Sequence, residues 1–585
     1  MYLSTPVEIP SDKGKISHFM KDGVTYYRYL YGRRYDPKRR FALPNYRIIG
    51  KGINGKPGMM LPNENYVAIF GTENLPETST ERGCFLRIGS FLVIRKAAEE
   101  TKMKEFLEPV FGEDAGFVMD LASYSIVTED NAGQYYPDYA YEHPLFTEGM
   151  KAYGDSKVSD FLSSSIREEQ RREFLNLWNR DQGHRQRIYV SYDSTNKNCE
   201  AGDLEMVEYG HPKTDAGEPV VNISVAYDTD NEKPLFYEEY PGSIVDVSQL
   251  CFMVNKANGY GYRNIGFILD RGYFSERNIL EMDSLEYGFV MMFKGKKALI
   301  RSYIDKVRGT FENSFDTRIQ EYGVNGTTLC EPVFPSDVRN GRKRYIHLYY
   351  SDTKASSERR LLWEKIARMT SALKEMYGRE YEPEGEYLRY FDFVFYEQKD
   401  REGKKVKILQ AATAKKGVIE EELSYCGYYA ILTSEKKTAE EALTLYKSRD
   451  VSEKLFRDDK TFLGGRSLRV HSDNSAASKL FIGFLALILR NRIYTVLKDA
   501  MDKDKKENFM DVPAAVRELE KIALVKDARG DWIMDYAITK TQKTILRAFG
   551  FDEKDVRKMA SELGRQIAEY DRKEEKKNDT EKTDD

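Results

Sequence analysis

Between residues 187 and 293 the chain changes from a helical to a strand-like period and then alternates between the two. Runs of β-branched and aromatic residues at 187–193, 221–228 and 234–240 read as three strands, and the link Asp228-Thr-Asp-Asn-Glu-Lys-Pro234 is a turn-rich hairpin connection. A helix is expected over 246–258, a buried strand over 264–270, a helix over 275–283 and a strand over 287–293. Three adjacent strands followed by βαβ alternation imply a mixed sheet flanked by helices, an α/β architecture. Two of these strands end in an acid, at Asp193 and Asp270.

The rest of the chain is organised around this segment. Residues 1–85 read as short strands and turns, with rings interleaved along Tyr26-Tyr-Arg-Tyr-Leu-Tyr31 and a basic cluster at Arg33, Arg34, Lys38, Arg39 and Arg40. Interleaved rings and cations can grip a nucleic-acid backbone and its bases; a solvated hairpin is the other reading. Residues 86–185 read as helical, with a capping box at Ser165-Ile-Arg-Glu168. Residues 295–425 are irregular. A helix over 356–377 lies there between strand-like runs at 344–350 and 387–396, as in an α+β insertion. A strand over 426–433 returns to the sheet, and Thr438-Ala-Glu-Glu441 caps the next helix. A long apolar helix is expected over 475–498, small helices and a strand pair around Trp532 over 499–570, and a charged, disordered tail over 571–585.

Composition excludes several classes of function. With 41% hydrophobic and 32% charged residues, a chain of 585 residues is globular and long enough for several domains. Its net charge of −4 shows no global bias toward nucleic acid, although basic surface can be local. The five cysteines form no CxxC pair, which argues against zinc-ribbon and disulfide-scaffold readings and fits a reduced cytoplasm. No signal peptide is expected, and the longest apolar run, 481–489, is too short to span a bilayer. The six histidines show no HExxH spacing and no GxxxxGK[ST] loop occurs, so zinc hydrolysis and ATP-driven chemistry find no support.

The stretch from Tyr446 to Lys460 carries the third acid. On a helix, Arg449, Glu453 and Lys460 all fall within about 60° of Tyr446, on the same side of it. One carboxylate is thus flanked by two cations and a phenol. Asp193, Asp270 and Glu453 converging would present hard oxygen ligands for two divalent cations, for which magnesium is suited. Two such ions serve in-line displacement at phosphorus. Arg449 and Lys460 would neutralise charge or anchor a phosphate. Each acid alone also reads as a solvated group: Asp193 could begin a turn, and Asp270 could mark a strand exit where Gly272 supplies an unusual backbone conformation.

Taken together, these residues resemble the DDE transposases of bacterial insertion sequences, in the group with the Y-(2)-R-(3)-E-(6)-K signature. Tyr446, Arg449, Glu453 and Lys460 match all four positions, Asp270-Arg-Gly-Tyr273 matches D-x-G-[YF], and Asp193 stands where the first aspartate belongs. The stretches Tyr209-Gly-His-Pro-Lys213, 234–242 and 48–51 are also similar. The resemblance implies a ribonuclease H-like core over 186–294 and 426–498, with the insertion 295–425 before the glutamate helix. Residues 1–85 would be a candidate DNA-end-binding region and 499–570 a candidate dimerisation region. Asp193, Asp270 and Glu453 would be both catalytic residues and ligands of two Mg²⁺, with Mn²⁺ able to substitute. Arg449, Lys460 and Tyr446 would contact DNA phosphate. The partners implied are double-stranded DNA, as terminal inverted repeats and target, and a second copy in a synaptic homodimer, with no membrane. The implied location is the bacterial cytoplasm, at the nucleoid when DNA is bound. Trp363 lies in the helical piece of the insertion and is given no base-contacting role. Two rival readings use the same residues: a nuclease that cuts without joining, and a decayed DNA-binding derivative.

Overall fold

The computed structural model describes residues 2, 6–12, 14–21, 23–36, 41–53, 57–71, 85–182, 187–199, 204–209, 219–244, 246–399, 405–449, 467–504, 510–527 and 531–581. The chain divides into two compact units: residues 1–128, 132–159 and 493–585 form the first, and 129–131 with 160–492 the second.

The first unit opens with a five-stranded antiparallel sheet of β1 (Val7–Glu8), β2 (Ile16–Lys21), β3 (Val24–Asp36), β4 (Phe41–Gly52) and β5 (Met59–Pro62), in the order β1-β5-β4-β3-β2. Val7, Ile49, Met60 and Tyr66 form its core. Tyr66 comes from the helix Glu64–Phe70, whose N-terminal amides on Asn65 and Tyr66 donate to the Asn63 side chain. The expectation of short strands is corrected here, because β3 and β4 run 13 and 12 residues. Their alternating tyrosines favour extended backbone. After β6 (Phe85–Arg87) the chain turns helical, as expected. The buried Asp120 carboxylate fixes the helix Ala115–Thr128 to the following loop, accepting from Phe146 N at 2.6 Å, Thr147 N at 3.0 Å and Thr147 Oγ1 at 2.5 Å.

The second unit is built on a nine-stranded sheet. Its strands are β7 (Ile188–Asn198), β8 (Val220–Asp228), β9 (Lys233–Pro241), β10 (Ile265–Leu269), β11 (Gly288–Met292), β12 (Arg318–Ile319), β13 (Val324–Glu331), β14 (Arg344–Tyr350) and β17 (Tyr428–Thr433), while β15 (Phe391–Lys399) and β16 (Lys405–Ala414) form a separate hairpin. The order is β9-β8-β7-β10-β11-β17-β14-β13-β12. β7, β8 and β9 are an antiparallel meander, β10 and β11 continue parallel to β7, and every later pairing is antiparallel. β8 and β10 are buried at every residue, as strands covered on both faces must be. The helix Glu168–Arg180 packs on β9, with Trp178 Nε1 donating to Pro234 O at 3.1 Å. Its N-cap is Arg167 and not Ser165, which ends a π-turn over Phe161–Ser165; Gln170 Oε1 accepts from Arg167 N at 3.0 Å.

Residues 318–350, within the span read as an insertion, add β12, β13 and β14 to the sheet. The helix Asp352–Glu375, the β15–β16 hairpin and the helix Lys416–Ser424 close their own small core around Ile366, Leu373, Phe391, Leu409 and Ile419. The strand expected over 387–396 is split. Glu386–Tyr390 is a helix and Phe391 begins the strand. Tyr387, Tyr390 and Phe391 are spaced to bury one helical face, which a two-residue alternation cannot do.

The helix Asp473–Asp504 is longer than its apolar run. By length and composition Asp473–Lys503 could cross a membrane, but 78% of its most apolar window is buried in the protein. Up to Arg492 it belongs to the second unit, setting Phe481 on Phe174 and Phe484 on Tyr237. The chain then returns to the first unit, where β18 (Ala523–Lys526) pairs with both β6 and β19 (Trp532–Met534). The final helix, Glu553–Glu581, runs into the stretch expected to be disordered.

Candidate functional site

The parallel pairing of β7 with β10 ends at Tyr192 opposite Leu269, and the next residue on each strand is an aspartate, Asp193 and Asp270. Asp270 keeps extended backbone (φ −69°, ψ 159°). Residues in register on neighbouring strands lie about 4.8 Å apart with side chains on the same face. The two carboxylates therefore issue side by side from one face of the sheet. Asp193 is not at a strand end, contrary to the expectation from sequence. β7 continues to Asn198 because β8 supplies partners all the way, from Val225 opposite Asp193 to Val220 opposite Asn198.

Each carboxylate is oriented locally. Asp193 Oδ1 accepts from Ser194 N at 2.9 Å, and Asp270 Oδ1 accepts from Arg271 N at 2.7 Å. Asp270 caps a single 3₁₀ turn over Arg271–Tyr273, closed by Tyr273 N donating to Asp270 O at 3.1 Å. Gly272 has no positive φ, so the unusual backbone expected of it is absent; a Cβ added there would lie 4.0 Å from Asp270 Oδ2. Tyr273 is buried and tilts against Tyr192 with ring centroids 5.0 Å apart.

A cation lies beside Asp270. Arg449 Nη1 lies 3.0 Å from Asp270 Oδ1, with only 13% of the Arg449 side chain exposed. Arg449 comes from the helix Ala439–Lys447, which opens with the expected capping box: Glu441 N donates to Thr438 Oγ1 at 3.1 Å and Thr438 N to Glu441 Oε2 at 2.8 Å. That helix stops before Arg449. Ser448 Oγ donates to Leu445 O at 2.7 Å, and Arg449 N closes a tight turn on Tyr446 O at 3.3 Å. A serine hydroxyl competing for a helix carbonyl favours such an ending. Tyr446 and Arg449 thus meet across a turn, not along one continuous helical stripe. The Tyr446 ring is buried with Ile268, Val290, Tyr349 and Leu443, and the Arg449 guanidinium sits 5.4 Å from its centroid. Glu453 and Lys460 lie outside the described residues.

Side-by-side carboxylates are hard oxygen donors, which fits a divalent cation. Among the described residues no third His, Cys, Asp or Glu completes a metal-holding group. Sequence reading missed the pairing of Arg449 with Asp270 itself. It also missed His347, which is fully buried and bridges Thr328 on β13 and Thr433 on β17 at 2.9 Å each. No spacing rule reveals contacts between strands so distant in sequence.

A family model described as "Transposase DDE domain" matches residues 185–489, more than half of the chain. No curated protein matches it. Among solved structures, a piggyBac transposase synaptic complex with hairpin DNA is 9% identical. That match covers 81% of this chain and 85% of that one, with a TM-score of 0.35. A Mos1 transposase paired-end complex with the left transposon end is 14% identical, covering 29% of this chain and 62% of that one, with a TM-score of 0.14.

Proposed function

Because the chain belongs to the transposase DDE domain family, we propose that it is a DNA strand-transferase of the bacterial insertion-sequence type, working by cut-and-paste transposition from a ribonuclease H-like core. The observation that carries this reading is the β7–β10 register, which runs up to the residues just before Asp193 and Asp270, with Arg449 on the second acid. The core assignment is supported by the strand order: an antiparallel three-strand meander continued by two parallel strands.

In this reading Asp193, Asp270 and Glu453 would hold two Mg²⁺, which would supply activation of the attacking oxygen and stabilisation of the leaving one. Water attacks the phosphodiester at an element end, breaking the P–O bond to the 3′ oxygen and freeing a 3′-hydroxyl. That hydroxyl then attacks a phosphodiester of target DNA, forming one P–O bond as another breaks. The chain's own contribution is positional. The strand register sets the acids at one height, and Arg449, held by the Tyr446 ring and Asp270, presents cationic N–H groups to the phosphate. Lys460 adds a second charge by its place in the signature. A homodimer holds two element ends in synapsis, in the cytoplasm.

The test supplies a pre-cut 3′-hydroxyl end, a target duplex and Mg²⁺. Joined product that disappears in Asp193→Asn and Asp270→Asn is expected. Cleavage of an uncut end with no joined product from the pre-cut one would replace the transferase with a nuclease, and neither product at all would favour a DNA-binding derivative.

A further inference from the structure

The β3–β4 hairpin outruns its sheet. β2 pairs with β3 only from Val24 to Tyr29, and β5 pairs with β4 only from Gly50 to Gly52. Beyond Tyr29 and Arg47 the two strands pair with each other alone, from Leu30 opposite Tyr46 to Asp36 opposite Phe41. This is a two-stranded ribbon projecting about 20 Å. Its rings lie in solvent: Tyr31, Tyr35 and Phe41 are each more than half exposed.

Charge and shape select the occupant. Between Val24 and Gly52 eight Lys and Arg stand against a single acid, Asp36, in a chain whose net charge is −4. The register puts Arg33 and Tyr35 on one face of the ribbon with Ala42 and Pro44, and Arg34 on the other with Phe41 and Leu43. At the ribbon's base two guanidinium groups stack on rings, Arg47 on Tyr31 at 3.9 Å and Arg28 on Tyr46 at 4.1 Å, which holds them extended. The register shift that leaves Tyr31 unpaired tightens the local twist. An added protein strand fits poorly here, since Pro44 removes a backbone donor and both strands carry charge.

We infer that the β3–β4 ribbon docks in the major groove of duplex DNA, with Arg33 and Tyr35 facing one wall of the groove and Arg34 and Phe41 the other. A two-stranded ribbon fits the major groove of undeformed duplex, about 12 Å wide, whereas a minor groove of about 6 Å would have to be widened to take it. The inference rests on DNA being the substrate.

The test titrates the full chain onto a labelled mixed-sequence duplex across a salt series. Arg33→Glu with Arg34→Glu is expected to weaken binding at least tenfold and to flatten the log–log salt dependence by about 2, near 0.9 for each phosphate no longer neutralised. Arg33→Lys with Arg34→Lys stays near wild type. Arg33→Gln with Arg34→Gln is the second charge-removing variant should the acidic one misfold. Methyl green, a major-groove ligand, competes with wild type, and netropsin, a minor-groove ligand, does not. Wild-type binding with unchanged affinity and slope in both charge-removing variants overturns the ribbon and leaves the transposase reading standing. Competition by netropsin alone overturns the major-groove assignment. A wild-type chain that binds no duplex at any salt overturns the transposase reading, and the ribbon with it.

Discussion

His347 makes the sheet beside the site sensitive to acid. Its ring sits in β14 between two hydroxyls, and the network assigns its tautomer. Thr433 Oγ1 gives its one proton to Glu435 O at 2.7 Å, so it must accept from His347 Nε2–H; Nδ1 then accepts from Thr328 Oγ1. The imidazole is neutral, and charging it would make Nδ1 a donor and oblige the Thr328 hydroxyl to turn and accept. Burial, reinforced by the Lys437 charge and only partly offset by Glu441, pushes its pKa down from 6.5 to about 4. An unfolded chain therefore takes up a proton below pH 6.5 that the folded chain refuses. The resulting stability is full above pH 6.5 and is lost as pH falls toward 4. At about 1.4 kcal/mol for each unit, the loss is at most about 3.5 kcal/mol. Native-state hydrogen exchange of the β13, β14 and β17 amides, converted to opening free energies at pH 7 and pH 4.5, measures it. His347→Gln does not titrate, so the gap between wild type and variant should narrow by roughly 2 kcal/mol over that interval. A gap that stays constant with pH refutes the neutral buried histidine.

Two further outcomes test neighbouring parts of the second unit. Arg344 is 2% exposed and bridges Asp337, at 2.7 Å, and Asp283, at 2.9 Å; Arg344→Leu strands the buried Asp337 carboxylate and should cost about 3–5 kcal/mol in urea unfolding, partly recovered by adding Asp337→Asn. Arg449→Ala should lower joined product by about 100-fold or more with duplex affinity changed only a few-fold, and Arg449→Lys should recover part of it, because a point charge cannot reproduce the planar guanidinium on the Tyr446 ring. Full strand transfer by Arg449→Ala would refute its placement at the reacting phosphate.

The strands from 188 to 292 were legible within a few residues because they are aromatic and β-branched runs bounded by turn residues. The capping box at Thr438 was legible for the same local reason. What sequence could not show depends on partners far along the chain. Ser194-Thr-Asn reads as a turn in isolation, yet it is strand, since β8 offers it a ladder. Tyr446 and Arg449 read as one helical face, but the helix ends at Lys447 and the two residues meet across a turn. The placement of β12, β13 and β14 on the core sheet is invisible to periodicity, which sees each strand but not its neighbour.

The same register explains why the second-acid motif ends in tyrosine. A slip of one residue between β7 and β10 would move one aspartate to the opposite face of the sheet. Tyr192 precedes Asp193, so its side chain leaves from the face opposite the acids, and there it meets Tyr273. Tyr273 is carried by the 3₁₀ turn that Asp270 caps. The ring contact on one face and the carboxylate pair on the other are thus set by the same backbone pairing, with Leu269 opposite Tyr192 as its last step.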